Sequence, residues 1–348
     1  MNLTIKKILL SDMETTIKSL RKQSLEKLYN HLASSQKIYA PIVTSDKQVE
    51  FRYNPEFRDV TFEHIRSTLS VKNVVFPKIE NLFYFTNTKE ESIIKDIDLN
   101  IIPEVVLWGV HPCDSAAFDI LRSIFCWDIK DEFFSKRLEK ITVITLSCHK
   151  SDEFCFCTSV NLSPDSVKGS DIQLSLLQNG DYQAEILTEK GNELVSQVPD
   201  LFEQPSGEKK VIAGVKNKFD NKKVTSNLSG VFEHPFWIRN SLRCIGCGAC
   251  AFVCPVCACF DIQDETKGKD GRRYRCWDSC GFSLFTLHTS GHNPRQIQSQ
   301  RWRQRIMHKF SYMPDRNNAL GCVGCGRCSS SCPVDMNLAE QLEALPNI

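Results

Sequence analysis

The chain has 348 residues, 41% of them hydrophobic, and its 43 Lys and Arg nearly cancel 42 Asp and Glu to leave a net charge of +1, which carries no global signal of a charged partner. No apolar run approaches the roughly 18 residues that a membrane span needs. Seventeen cysteines, in a chain whose opening Met1 to Ser11 holds only the short apolar run Ile8 to Leu10, point to metal and redox chemistry in a reducing cytoplasm rather than to exported disulfides.

That length predicts two units. Residues 12 to 33 place Met13, Ile17, Leu20, Leu25, Leu28 and Leu32 at helical spacing and read as an amphipathic surface helix. Residues 38 to 87 offer short β-branched and aromatic runs broken by Pro41, Pro55 and Pro77, so a mostly β region with one helix near 61 to 69 is expected. Glu104 to Val110 is a buried-strand run ending in His111, Pro112, Cys113 and Asp114; Ser115 to Phe125 is helical, and Ile141 to Ser147 is a second buried strand ending in Cys148. This order predicts a βαβ unit with parallel strands, whose carboxyl ends share one edge and bring Cys113 and Cys148 together. Cys155 and Cys157 follow in a loop able to fold back to the same spot. Four thiols from three loops suggest a 4Fe–4S site; a zinc site or small buried hydrophobes are the alternatives. Cys126, on the same helix, reads as core.

Ile172 to Leu177, the turn Asn179-Gly180 and Tyr182 to Thr188 form a hairpin pattern. Residues 203 to 230, rich in Lys, Asn and Ser, read as a linker, and Phe232 to Leu242, with Phe236 and Trp237, as an aromatic junction.

Beyond it stand two copies of the run C-x2-C-x2-C-x3-C-P: Cys244, Cys247, Cys250 and Cys254 before Pro255, then Cys322, Cys325, Cys328 and Cys332 before Pro333. This is the bacterial ferredoxin spacing for a 4Fe–4S cubane, and in two-cluster ferredoxins the fourth cysteine serves the other cluster. Cys244, Cys247, Cys250 and Cys332 are therefore assigned to one cluster, and Cys322, Cys325, Cys328 and Cys254 to its neighbour. Gly246, Gly248, Gly321, Gly324 and Gly326 supply unhindered backbone around the sulfides. Zinc, which takes two C-x2-C pairs across a longer spacer, fits the repeat less well.

An insertion, residues 257 to 319, separates the copies and carries Cys257, Cys259, Cys276 and Cys280. The first two stand close enough to the cluster loop to hydrogen-bond, shield or ligate; with Cys280 they are a candidate further site, although structural thiols are the preferred reading. From Lys267 to Lys309 the insertion holds ten Lys or Arg against two Asp. Without a recognisable nucleic-acid module, this basic run reads as charge that offsets anionic cubanes and meets an acidic partner, or as a solvated face. His288, His292 and His308 read as structural. The fold class is thus an α/β (α+β) N-terminal domain, residues 1–230, plus a small, mainly α, bacterial-ferredoxin-like dicluster domain with an insertion, residues 231–348.

Taken together, Trp108-Gly109-Val110-His111-Pro112-Cys113-Asp114, the Cys148 strand end, Phe154-Cys155-Phe156-Cys157, Cys254-Pro255-Val256-Cys257-Ala258-Cys259-Phe260, Trp277-Asp278-Ser279-Cys280, and Gly291-His292-Asn293 with Arg305 and His308-Lys309-Phe310 resemble one family. It is the β subunit of sulfhydrogenases, NADP-linked nickel–iron hydrogenases, whose near relative is the electron-input subunit of anaerobic sulfite reductase. His111 and Ser290 depart from it, standing where Arg and Gly are common. The resemblance implies an electron-transfer subunit between a flavin subunit that meets NAD(P)H and a catalytic metal subunit, nickel–iron or sirohaem, with two clusters in the C-terminal half and a third in the N-terminal half. No Gly-rich dinucleotide fingerprint follows a strand, so the chain is expected not to turn over substrate alone. Readings from other classes are an iron–sulfur sensing module without turnover and a self-contained reductase.

Overall fold

The computed structural model describes residues 15–345. Its main sheet grows around the strands that the sequence marks as wholly apolar. β1 (Thr16–Leu20), β2 (Lys37–Val43) and β3 (Val49–Tyr53) are followed by β4 (Ile79–Asn87), β5 (Ser92–Asp96), β6 (Val105–Val110) and β7 (Ile141–Leu146). β8 (Ile172–Leu176), β9 (Tyr182–Ile186) and β10 (Phe202–Glu203) complete the N-terminal set, and β11 (Phe260–Lys267) and β12 (Asp270–Trp277) come from the insertion. The large sheet runs β10-β1-β9-β8-β7-β6-β2-β3, with β2, β6, β7 and β8 parallel at its centre and antiparallel strands outside.

Central strands buried on both faces need apolar residues at every position. Val106, Trp108, Ile144 and Leu146 point into one core, with Leu25, Leu28, Tyr29 and Leu32 of α1 (Leu25–Ala33). Val105, Leu107, Ile141 and Val143 point into the other, against Phe118, Leu121 and Phe125 of α2 (Pro112–Phe125) and Phe134 of α3 (Glu132–Glu139). β6 and β7 pair in parallel, Val105 with Ile141, so Cys113 and Cys148 both follow carboxyl ends at one edge, as expected.

Three local readings change. Residues 16–20 form an edge strand, registered Thr16 with Ile186 and bonded on its other side to β10, so the helix starts only at Leu25; residues 12 to 14 lie outside the described residues, as does the stretch Met1 to Ser11. Residues 61–69 contain no helix, because their backbone is spent elsewhere: the Thr68 N–H bonds the Val49 carbonyl and the His64 carbonyl lies 2.9 Å from His111 Nε2. The stretch read as a linker runs back over the main sheet, where the Lys210 N–H bonds the Leu176 carbonyl and the Ala213 N–H bonds the Cys148 carbonyl.

α4 (Glu189–Gln197) packs on the first core, and α5 (Asn221–Leu228) falls within that same supposed linker. It shares a third core with Phe236 and Trp237 of α6 (Phe236–Ser241), with Trp302 and Ile306, and with the edges of Cys244, Cys328 and Cys332. α7 (Ala249–Phe252), α8 (Gln298–Met307), α9 (Met313–Asn317), α10 (Arg327–Ser330) and α11 (Leu338–Glu343) complete the helices. A second sheet, β11-β12-β4-β5, joins the insertion hairpin to N-terminal strands, with Asp270 opposite Thr86 and Cys276 opposite Ile79.

Candidate iron–sulfur centres

The two cysteine loops fold alike because their glycines adopt the same backbone. Gly246 and Gly324 have φ of 69° and 65°, and Gly248 and Gly326 have 74° and 75°, the left-handed region where a Cβ is unfavourable. Each second glycine is followed at once by a four-residue helix, α7 or α10, which carries the third cysteine, Cys250 or Cys328. At Gly324 the reason is also steric: a Cβ would stand 2.5 Å from the Cys157 backbone.

One cavity is lined by Cys244, Cys247 and Cys250 from the first loop together with Cys332 and Cys328 from the second. Cys332 and Cys328 thus both border the first loop. Reciprocally, Cys254 packs with Val323 and Cys325. The thiols are held by donors as well as by packing: Gln298 Nε2 lies 3.1 Å from Cys244 Sγ, the Gly324 N–H 3.4 Å from Cys322 Sγ, and the Met336 N–H 3.3 Å from Cys332 Sγ. N–H groups directed at sulfur stabilise the added negative charge of a thiolate or of a reduced cluster. Gly loops, thiols in two sets and N–H donors fit iron–sulfur ligation.

Burial pushes the thiols of Cys250 and Cys322 up to about 12, and that of Cys325 in the same direction. They stay protonated at neutral pH without metal, so loading a metal there releases protons.

The N-terminal thiols converge at the sheet edge. Cys113 packs in one cluster with Cys325 and Cys254, and the Cys157 backbone is seated against Gly324 of the second repeat. Burial pushes Cys148 and Cys157 up to about 12 and Cys113 well above its usual range. Arg66 Nη2 lies 3.3 Å from Cys155 Sγ, while its Nε donates to the Cys325 carbonyl and its guanidinium pairs with Asp152. This edge is fastened to the second cluster loop: Arg327 makes a buried ion pair with Asp114 at 2.7 Å, and the Phe156 N–H bonds the Gly324 carbonyl.

Arg66, Lys72 and Arg327 escape the sequence reading: the first two are lone cations far from the cysteines in sequence, and Arg327, although inside the second repeat, finds its partner Asp114 213 residues away. Arg305 and Lys309, four residues apart, do carry a signal, because one helical face then presents two cations. The basic run itself divides. Arg272 and Arg273 pair across the hairpin with Glu265 and Asp264, and Arg275 is buried against Glu80 and Asp131, so these are structural ion pairs. Only Arg305 and Lys309 reach sulfur, 3.4 Å from Cys257 Sγ and Cys254 Sγ respectively. Cys126, read as core, is exposed at the end of α2, with Ser135 Oγ 3.5 Å from its sulfur. Among the described residues no three His, Cys, Asp or Glu side chains close on a single-ion point.

Residues 243–336 match the family described as 4Fe-4S dicluster domain. Across 334 residues the chain is 25% identical to the sulfhydrogenase 2 subunit beta of Pyrococcus furiosus, an alignment covering 93% of this chain and 96% of that protein.

Proposed function

The resemblance of this chain to the sulfhydrogenase β subunits extends over nearly its whole length, and from that premise we propose that it is the iron–sulfur electron-transfer subunit of a multi-subunit oxidoreductase in the cytoplasm. It relays electrons between a flavin subunit that meets NAD(P)H and a catalytic metal subunit, a nickel–iron hydrogenase/sulfur reductase; the alternative is the electron-input subunit of an anaerobic sulfite reductase. In this reading Cys244, Cys247, Cys250 and Cys332 hold one 4Fe–4S cluster, Cys322, Cys325, Cys328 and Cys254 hold the second, and Cys113, Cys148, Cys155 and Cys157 hold a third. Bound there, such clusters supply one-electron transfer.

The observation that carries the proposal is the cavity that Cys244, Cys247 and Cys250 of one repeat share with Cys328 and Cys332 of the other. Its surroundings suit a relay. Cys113 packs in the same cluster as Cys254 and Cys325, which brings the N-terminal set beside the two repeats. At the far end Gln298 and Arg301 line both the cysteine cavity and an open groove with Ile245, Leu284 and Leu287, three exposed apolar residues that suit docking of another subunit.

Cys325→Ala is expected to remove about four iron atoms per chain while Cys126→Ala removes none; equal iron in wild type and Cys325→Ala overturns the ligand scheme. Metal analysis of co-purifying subunits identifies the complex, nickel supporting the hydrogenase and sirohaem the sulfite reductase alternative. Turnover of NAD(P)H or substrate by the isolated chain would exclude a pure relay.

A further inference from the structure

Three cations lie deep in the molecule, and each finds only backbone carbonyls and sulfur as hydrogen-bond partners among the described residues. Lys72, 3% exposed, donates to the carbonyls of Ala251 and Cys257 at 3.2 and 2.9 Å. Arg305, 4% exposed, reaches the Cys250 carbonyl at 2.8 Å and Cys257 Sγ at 3.4 Å, and its Nε is buried without a partner. Lys309, 4% exposed, reaches the Gly321 carbonyl at 2.7 Å and Cys254 Sγ at 3.4 Å. Burying a cation without a counter-charge is strongly unfavourable. An anionic group therefore belongs among them.

Cys254 of the first repeat is one sulfur among them; the other is Cys257, outside the eight repeat thiols, whose Sγ lies 3.4 Å from Arg305 and whose carbonyl accepts from Lys72. It stands three residues after Cys254 and two before Cys259. Cys257, Cys259 and Cys280 line a single cavity with Arg305, Lys309 and the exposed His308. Cys280 also lines the cavity of Cys244, Cys247 and Cys250.

We propose that Cys257, Cys259 and Cys280 hold a further iron–sulfur cluster, separate from those of the two repeats and from the N-terminal thiol set. These three thiolates add to the counter-charge that Cys250 and Cys254 of the first repeat bring to Arg305 and Lys309. Of the residues lining the cavity they share, His308 is the remaining side chain able to complete the ligand set. Because Cys280 borders both cavities, the cluster extends the relay sideways from the first repeat, and the inference rests on that relay reading.

The test is iron, acid-labile sulfide and zinc content of the full-length chain prepared anaerobically. Cys280→Ser, which comes from a segment distant from the repeats in sequence, and Cys257→Ser are each expected to lose about four iron and four sulfide, with Cys276→Ser unchanged. No loss in either variant, or loss of zinc without sulfide, overturns the inference. Should both variants fail to fold, a chain with native Cys257, Cys259 and Cys280 but Cys113→Ser and Cys148→Ser decides: about twelve sulfides support the further cluster and about eight reject it. Cys325→Ala separates the two readings, since iron loss there without loss at Cys257 and Cys280 rejects only this inference, and no loss anywhere rejects the dicluster assignment as well.

Discussion

Arg327 and Asp114 are 1% and 2% exposed and 2.7 Å apart, and the arginine also bonds the Ser67 carbonyl and hydroxyl at 2.9 Å. Removing one member of such a pair leaves the other charge buried alone, which costs about 3–5 kcal/mol. Arg327→Leu is therefore expected to lower the thermal midpoint sharply and to loosen the second repeat from the sheet edge; a midpoint within a degree or two of wild type would contradict this. His64 and His111 lie nearby with ring centroids 4.3 Å apart, and burial pushes both below the usual histidine range, His64 the further. The folded chain keeps them neutral while the unfolded chain takes up protons below about pH 6.5. Stability is thus present above that pH and falls as pH drops through it. His64→Gln is expected to lose less stability than wild type between about pH 7.5 and 5.5, measured by thermal unfolding. At the first repeat, Gln298→Ala removes the donor at Cys244 Sγ, and a lower midpoint potential in redox titration is the expected result, because the reduced cluster loses its hydrogen bond.

At the level of elements, the glycines of the cysteine loops are the sharpest test of geometry. Gly324→Ala meets both a positive φ and a Cys157 backbone 2.5 Å from the new Cβ, so a destabilisation of about 2–4 kcal/mol and poor iron retention are expected. A variant loading full iron would show the loops to be looser than drawn. The same elements explain which parts of the fold are legible in the sequence. β6, β7 and both repeats are legible because their requirements are local: a strand buried on both faces must be apolar throughout, and cubane ligation fixes cysteine spacing. β1 is not, since Leu20, Leu25, Leu28 and Leu32 obey helical spacing while residues 16–20 are claimed by β9 across the sheet. Residues 61–69 mislead for a related reason, as His64, Arg66 and Ser67 bond to groups far along the chain. Nor does any sequence rule announce that α8 widens into a π-turn at His308–Tyr312, the segment that carries Lys309 to Cys254.

On the scale of the whole molecule, the exposed groove beside the first repeat makes a prediction separate from cluster binding. Leu284→Glu is expected to leave iron and fold unchanged and to slow electron transfer to, or weaken association with, the neighbouring subunit; unaltered kinetics would move the docking face elsewhere. The insertion hairpin carries a different consequence. Thr86 meets Asp270 across 184 residues of chain, so during synthesis β4 leaves the ribosome with one edge bare long before its partner exists. At translation rates of about 5–20 residues per second that interval lasts roughly 10–40 seconds, and an unpaired strand edge is prone to mispairing. The β4 edge therefore closes only once β12 has emerged, and the exchanged ligand sets, each drawing on both repeats, likewise wait for the second.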